Sequence, residues 1–201
     1  MAGRRSRSYI ERRAERAAVD DPQVVLEAAA RFLEARSRSV TEVRRRLTQA
    51  GYRPELVDGA TARLLELGVL DDEAFTRAWV ESRDRARPRG ERAIREELRS
   101  KGIERATVDL VLDERRDAAS ELADEGAPSP DRLAAERLLQ RHARALGRVA
   151  DPRQRRQRAY ALLARNGFDP EVCATVARDF IDGAANLDTT VADETTEPDD
   201  A

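Results

Sequence analysis

Apolar residues recur along this chain at intervals of three and four positions, the spacing that places side chains on one face of an α-helix. No run of β-branched or aromatic residues alternates with polar residues in the manner of a strand. Ala, Leu, Arg and Glu dominate the composition, and all four are strong helix formers. The pattern therefore predicts an all-α protein.

Three segments of the chain share a short pattern, Leu-x-x-x-Gly followed by an apolar residue, with the same apolar positions around it. A glycine just after a helix can adopt the left-handed conformation that ends it, and the next residue then packs back on the leucine. The positions eight before, six after and nine after each glycine are apolar in every copy. The pattern predicts three repeated helix-turn-helix corners, at Leu47, Gly51 and Tyr52, at Leu98, Gly102 and Ile103, and at Leu163, Gly167 and Phe168.

Another amphipathic helix precedes each corner, over about 22–36, 72–87 and 131–146. Asp71 is suited to cap the second of these helices, and Ser39 with Glu42 forms a capping box before the first corner. The residues expected to face inward are Val25, Leu26, Ala29, Phe32 and Leu33, then Phe75, Trp79 and Val80, then Leu133, Leu138 and Leu139. The pattern therefore predicts three tandem three-helix repeats.

The predicted organisation has six parts. A basic, partly disordered N-terminal arm (1–21, with 1–8 unstructured and a helix over 9–19) precedes repeat 1 (22–69) and repeat 2 (70–125). A linker (126–130) leads to repeat 3 (131–183). The segment 184–201 is acidic and lacks periodicity, which predicts disorder.

Composition argues against one large core, since only 40% of residues are apolar and 38% are charged. A lone cysteine excludes a disulfide framework within the chain, which suits a reducing compartment. No apolar stretch approaches the length of a membrane span, and the basic N-terminus has no apolar signal region. These features predict a cytoplasmic protein without membrane contact.

Catalysis has little support in the sequence. The single histidine, His142, has no second histidine or cysteine near it, so the spacing of metal ligands is absent. Cys173 occupies the repeat position of Val57 and Val108, which indicates a small buried residue. We therefore expect no enzyme, no metal site and no cofactor.

Basic residues cluster on or beside the helix before each corner. Residues 82–101 hold eight bases and 141–165 hold eight more, with a smaller group at 44–46. Aligned across stacked repeats, these helices would form a basic stripe suited to an anionic polymer or an acidic groove. An ordinary solvated helix face is the alternative interpretation.

The middle of the chain carries a dense and ordered set of motifs. They are Phe75, Trp79, Val80 and Arg83, the run 87–90 (Arg-Pro-Arg-Gly), the run 97–103, and the upstream run 64–75 with Gly68 and Leu70. In these motifs the chain resembles the RecX family of recombination regulators. The resemblance covers about forty residues densely. The three-repeat layout extends it to about residues 22–182, with repeat 3 the least similar.

The resemblance implies an elongated, curved protein that binds the RecA–DNA filament in its helical groove. It implies modulation, mainly inhibition, of RecA's recombinase, ATPase and coprotease activities in DNA repair and the SOS response. We expect a monomer whose basic stripe contacts RecA, single- or double-stranded DNA, or both. The expected contact residues are Arg45, Arg46, Arg87, Arg89, Arg92, Arg95, Lys101, Arg155, Arg156 and Arg158, and the structural ones are Gly51, Gly102, Gly167 and Trp79.

A second hypothesis is a helical module that acts on DNA directly. Three-helix units with a glycine corner resemble helix-turn-helix domains, and the basic helices would supply phosphate contacts. No set of residues suited to reading base edges is recognisable.

Overall fold

The computed structural model describes residues 2–121 and 128–193, with side chains described over 8–121 and 128–183. Within those ranges the protein is built from α-helices and turns, without strands, which confirms the predicted fold class. The helices are α1 (Ala2–Ala17), α2 (Pro22–Glu34), α3 (Val40–Ala50), α4 (Pro54–Glu66), α5 (Asp72–Ala86), α6 (Glu91–Ser100), α7 (Arg105–Glu121), α8 (Pro130–Gly147), α9 (Pro152–Arg165) and α10 (Pro170–Asp193).

The three glycine corners are left-handed, as the repeat pattern predicted. Gly51, Gly102 and Gly167 have φ values of 106°, 77° and 81°. At each corner the N–H after the glycine donates to the carbonyl of the repeat leucine, at 3.3, 3.1 and 3.3 Å. These hydrogen bonds close the Schellman geometry that the Leu-x-x-x-Gly spacing indicated.

The helix starts also follow the sequence signals. Ser39 and Glu42 form the predicted capping box at the start of α3. Asp71 accepts hydrogen bonds from the backbone N–H groups of Glu73 and Ala74 and so caps α5. Ser129 caps α8, whose first residue is Pro130, so the end of the predicted linker belongs to this helix.

Two expectations about order differ from the structure. Helix α1 begins at Ala2, within the segment 1–8 for which we predicted no structure. Helix α10 continues to Asp193, into the segment 184–201 predicted to be disordered. The remaining tail residues, 194–201, and the start of the linker lie outside the described residues.

The apolar repeat positions form the cores. The positions eight before, six after and nine after each corner glycine are buried in every repeat. One interpretation of an inward residue was wrong, since Leu133 is 39% exposed. Trp79 is partly buried and stacks on Phe75. The apolar clusters of repeats 1 and 3 are centred on Val25, Val43 and Leu64 and on Leu139, Leu163 and Phe168.

The chain divides into two compact units whose boundaries fall inside repeat 2. Unit 1 comprises residues 1–79 and 97–111, and unit 2 comprises 80–96 and 112–201. Helices α5, α6 and α7 therefore each contribute one part to unit 1 and the other part to unit 2. Repeat 2 is continuous in sequence but is shared between the two units.

Candidate partner-binding surface

Each corner glycine is a docking point as well as a helix end. The last carbonyls of a helix lack partners within that helix. The carbonyl just before each corner glycine, that of Ala50, Lys101 or Asn166, accepts a hydrogen bond from a preceding element of the chain. The corner therefore joins successive parts of the chain.

In unit 1 the start of α3 docks on the second corner. The Ser39 hydroxyl donates to the Lys101 carbonyl at 2.6 Å and accepts from the Glu42 N–H at 3.1 Å. A Cβ on Gly102 would lie 2.5 Å from the Thr41 side chain. Glycine at this corner thus serves both the left-handed backbone and the close packing of α3.

In unit 2 the start of α6 docks on the third corner in the same register. The Gly90 N–H donates to the Asn166 carbonyl at 3.0 Å, and Arg89 donates to the Asn166 side-chain oxygen at 2.7 Å. A Cβ on Gly90 would lie 2.3 Å from the Gly167 carbonyl oxygen. Gly90, whose role the sequence left open, thus permits close approach by the chain's own backbone.

Helix α1 takes the corresponding place at the first corner. Arg16 donates to the Ala50 carbonyl at 3.4 Å, and its guanidinium lies 5.9 Å from the centre of the Tyr52 ring. A Cβ on Gly51 would lie 2.6 Å from the Arg13 side chain. The basic arm therefore packs on repeat 1 as the starts of α3 and α6 pack on their corners.

Lys101, predicted to contact a partner, is held inside unit 1. Its side chain is 14% exposed, and its ammonium lies 3.2 Å from the Glu42 carboxylate. The same ammonium lies 4.2 Å from the centre of the Trp79 ring, and that ring stacks on Phe75. The Trp79 indole N–H donates to Glu97 at 2.8 Å. These contacts indicate a structural role for Lys101 and a partly polar one for Trp79.

The Glu42 carboxylate is stabilised in its charged form. Burial acts to raise its pKa, but the hydrogen bond from the Ser39 N–H and the charge of Lys101 outweigh burial. The pKa of Glu42 therefore lies below its ordinary value.

A second internal cluster surrounds Arg115 in unit 2. The Arg115 side chain, 9% exposed, donates two hydrogen bonds to Asp84, at 2.9 and 2.7 Å, and one to Asp131 at 3.3 Å. Asp131 also accepts from the Glu91 N–H. Burial raises the pKa of Asp131 above its ordinary value despite these two donors. This cluster ties α5, α6, α7 and α8 together within unit 2.

The ten predicted contact residues fall into two groups. In the first group the side chain already has a partner within the protein: Arg89 binds Asn166, Arg95 pairs with Glu91, Arg155 donates to the Val149 carbonyl, Arg46 lies over Phe32, and Lys101 pairs with Glu42.

The second group is exposed to solvent. Among the described residues these side chains have no hydrogen-bond or ion-pair partner, so their charges are available to a binding partner. The group consists of Arg45, Arg87, Arg92, Arg156 and Arg158. Its members lie on α3, before and on α6, and on α9, the second helix of each repeat.

Cys173 and His142, the candidates for catalysis or metal binding, make contacts typical of structural residues. Cys173 is a buried free thiol, and burial raises its pKa. The Nδ1 atom of His142 forms a hydrogen bond with the Leu138 carbonyl oxygen at 2.9 Å. Within the described ranges no group of three or more His, Cys, Asp or Glu side chains is placed to hold a metal ion. No described helix is both long and apolar enough to cross a membrane.

A fourth left-handed corner was missed in the sequence. Gly68 ends α4 with φ of 66°, and the Val69 N–H donates to the Leu64 carbonyl at 2.9 Å. Leu64, Gly68 and Val69 fit the same Leu-x-x-x-Gly-apolar pattern, so the signal was present. A Cβ placed on Gly68 would have no atom within 4 Å, in contrast to a Cβ placed on any of the other three corner glycines.

Comparison with known proteins matches two parts of the chain to family models. Residues 26–64 match the first three-helix domain of RecX, and residues 71–112 match the second. These ranges contain the first two glycine corners.

The similarity extends over most of the chain in relatives and solved structures. A regulatory protein RecX from Mycobacterium sp. (strain JLS) is 35% identical over 149 residues, which is 73% of this chain and 75% of the relative. One from Streptomyces coelicolor is 34% identical, covering 69% of this chain and 70% of the relative.

The crystal structure of RecX from Lactobacillus salivarius has a TM-score of 0.66 at 17% identity, covering 80% of this chain and 97% of that one. A second crystal structure of regulatory protein RecX has a TM-score of 0.61 at 21% identity, covering 77% and 70%. These two similarities support the fold, and the sequence relatives establish the family. The repeated three-helix architecture and the similarity along most of its length show that this chain belongs to the RecX family of regulatory proteins.

Proposed function

We propose that this chain regulates the RecA recombinase by binding in the groove of the RecA–DNA filament and mainly inhibiting its activities. The single observation that carries the proposal is the 35% identity, over 73% of the chain, to a protein named regulatory protein RecX. RecX relatives are named for regulation, and we propose a binding role without catalysis for this chain as well.

The exposed arginines support a binding mechanism of this kind. Arg45, Arg92, Arg156 and Arg158 lie on the second helices of the three repeats and have no charged partner among the described residues. A filament of protein and DNA offers repeating negative charge, from phosphates and from acidic side chains. Arginines spaced over three repeats can contact such a surface at several points at once.

The direct test is the ATPase activity of the cognate RecA on single-stranded DNA, with this protein added far below the RecA concentration. We expect inhibition at such ratios, because a groove-bound regulator acts on a filament rather than by sequestering monomers. Unchanged ATPase, together with tight, salt-dependent binding to DNA alone, would instead favour a module that acts on DNA directly.

The contact surface can be tested with matched charge variants. The variant Arg45→Gln, Arg92→Gln, Arg156→Gln and Arg158→Gln removes four charges that have no internal partner. A control removes four charges from exposed ion pairs with acids on the same helix: Arg31→Gln, Arg63→Gln, Arg85→Gln and Arg105→Gln.

We expect the first variant to lose filament affinity by at least ten-fold and the control to retain it, with both melting like the wild type. Equal loss in both variants would mean that only net charge matters and would contradict this surface.

A further inference from the structure

The groove between the second and third helices differs in repeat 3 from its counterparts. The position seven before the corner glycine is Arg44 in repeat 1 and Arg95 in repeat 2, but Tyr160 in repeat 3. The position seven after the glycine is an aspartate in repeats 1 and 2, but Ala174 in repeat 3. In repeat 1 these two positions form an ion pair, Arg44 to Asp58, at 3.2 Å. Where repeat 1 has this ion pair, repeat 3 therefore has an exposed aromatic ring and no acidic residue.

The groove between α9 and α10 is open and has a volume of about 450 Å³, within the range of about 300–1,000 Å³ common for ligand clefts. Its lining holds three arginines and no acidic residue. The lining residues are Arg153, Arg156, Gln157, Tyr160, Ala174, Thr175, Ala177 and Arg178.

Two of the groove's arginines are available to an anion. Arg153 and Arg156 are exposed, and their side chains have no hydrogen-bond or ion-pair partner among the described residues. Arg178 pairs with Asp179, its neighbour on α10, at 2.9 Å, so its charge is partly neutralised. The groove therefore presents two free positive charges to any ligand that enters it.

The start of α9 adds an independent observation. At the start of α3 and of α6, two of the four positions twelve to nine before the corner glycine hold small residues that pack on the next corner, Ser39 and Thr41 in one case and Gly90 and Ala93 in the other. In α9 the same four positions are Arg155, Arg156, Gln157 and Arg158. Arg155 donates to the Val149 carbonyl, whereas Arg156 and Arg158 are exposed. These positions of repeat 3 therefore add exposed positive charge where the other two repeats have small residues packed on a corner.

Tyr160 supplies a flat apolar face beside these charges. Its side chain is 38% exposed and lies in the groove with Ala174 and Ala177. Alternating cations and an accessible aromatic ring are the features that hold unpaired nucleotides, because phosphates pair with arginine and bases stack on the ring. A helical acidic peptide would use the arginines but would gain little from the ring.

We propose that the α9–α10 groove of repeat 3 binds a single-stranded phosphodiester chain, with Arg153 and Arg156 contacting phosphates and Tyr160 stacking on a base. The inference rests on the proposed function, since the RecA filament carries such a strand. It adds a site on this chain that contacts the strand itself.

The test measures binding of a fluorescein-labelled 20-nucleotide oligo(dT) and of a duplex of the same length, without RecA, over a range of salt concentrations. We expect the single strand to bind more tightly than the duplex. Tyr160→Ala should weaken strand binding on the order of ten-fold, whereas Tyr160→Phe should retain it. Arg153→Gln with Arg156→Gln should reduce the salt slope by about 0.7 per arginine.

Matched controls use an exposed tyrosine and two paired arginines outside the groove. Tyr9→Ala, and Arg63→Gln with Arg85→Gln, should leave strand binding unchanged. Equal binding of duplex and single strand, or unchanged binding by Tyr160→Ala, would overturn the proposal. Binding of poly-glutamate in place of oligo(dT) would overturn it as well.

RecA ATPase measured with the same variants separates this inference from the proposed function. If the wild type inhibits RecA but does not bind oligo(dT), the groove proposal fails and the regulatory function stands. If it binds oligo(dT) through Tyr160 but leaves RecA ATPase unchanged, the groove stands and the regulatory function fails.

Discussion

The Lys101 ammonium and the Glu42 carboxylate form an ion pair that is mostly shielded from water. Their side chains are 14% and 11% exposed, and Trp79 covers the ammonium. Surface ion pairs contribute little to stability, whereas removing one partner of a shielded pair leaves an uncompensated charge. At the scale of single residues, this pair links the start of α3 with the end of α6 inside unit 1.

The variant Glu42→Gln should be less stable than the wild type at neutral pH, by about 1–3 kcal/mol, because Lys101 loses its counter-charge. The pKa of Glu42 is lowered in the folded protein, so its contribution is present above the ordinary value of 4.5 and is lost as the pH falls through the folded pKa. The difference between the two proteins should therefore shrink below about pH 4.5.

Urea unfolding at a series of pH values measures this difference. Glu66→Gln, which removes an exposed carboxylate paired with Arg63, is the matched control and should change stability little at any pH. A Glu42→Gln deficit of the same size at pH 7 and at pH 3 would contradict the assignment.

Lys101 could be identified from the sequence as a cation at the end of the helix before the second corner, but its internal partners could not. Charge and helical periodicity show that a residue is basic and where it lies along a helix. They do not show that Glu42, fifty-nine positions earlier, comes within 3.2 Å of its ammonium. Trp79 was predicted to face the core beside Phe75, and the structure adds Glu97 and Lys101 as polar neighbours of its ring.

At the scale of elements, the corners show how one glycine can meet two requirements. Gly102 and Gly68 both adopt left-handed backbone, with φ values of 77° and 66°. Gly102 is also packed against Thr41, whereas no atom lies within 4 Å of a Cβ placed on Gly68. Alanine substitutions at these two glycines can therefore separate the free-energy cost of backbone strain from the cost of lost packing against α3.

Gly68→Ala should lower the free energy of unfolding by about 1–2 kcal/mol through strain alone. Gly102→Ala should cost about 1–3 kcal/mol more, because its Cβ also collides with Thr41. Chemical denaturation of both glycine variants, of Thr41→Gly and of the double variant Gly102→Ala with Thr41→Gly measures the strain cost, the packing cost and the coupling between Gly102 and Thr41. Equal costs for the two alanines, with no coupling to Thr41, would refute docking at this corner.

The glycine corners were predictable because their cause is local. A leucine, a glycine four positions later and an apolar residue after it suffice to specify the turn. The docking of α3 and α6 on the next corner was not predictable, since it depends on which carbonyl meets Ser39 or Gly90 in space. The small residues at those positions are a signal that a comparison of the three repeats, position by position, can reveal.

At the scale of the whole molecule, sequence repeats and compact units do not coincide. Repeat 2 was predicted as one block, 70–125, whereas the structure assigns residues 80–96 to unit 2 and residues 97–111 to unit 1. The partners of these segments explain the division. Gly90 contacts Gly167, and Asp84 binds Arg115, whereas Lys101 and Gly102 contact Ser39 and Thr41.

This division predicts the behaviour of a chain shortened to residues 1–125. Residues 80–96 then lose Asn166, Gly167 and Asp131, so their amide hydrogens should exchange faster than in the full chain. Residues 97–111 keep their unit 1 partners and should remain protected. Hydrogen exchange followed by mass spectrometry compares the two segments, and an equal loss of protection in both would contradict the division.

The burial of Lys101 has a practical consequence for labelling experiments. It is the only lysine among 201 residues, and its nitrogen lies between a carboxylate and an indole ring. Lysine-directed cross-linkers and enzymes that modify lysine side chains therefore find one poorly accessible side chain in the folded protein. The surface that a binding partner meets is cationic through guanidinium groups, so arginine-directed reagents such as phenylglyoxal are the ones suited to footprint it.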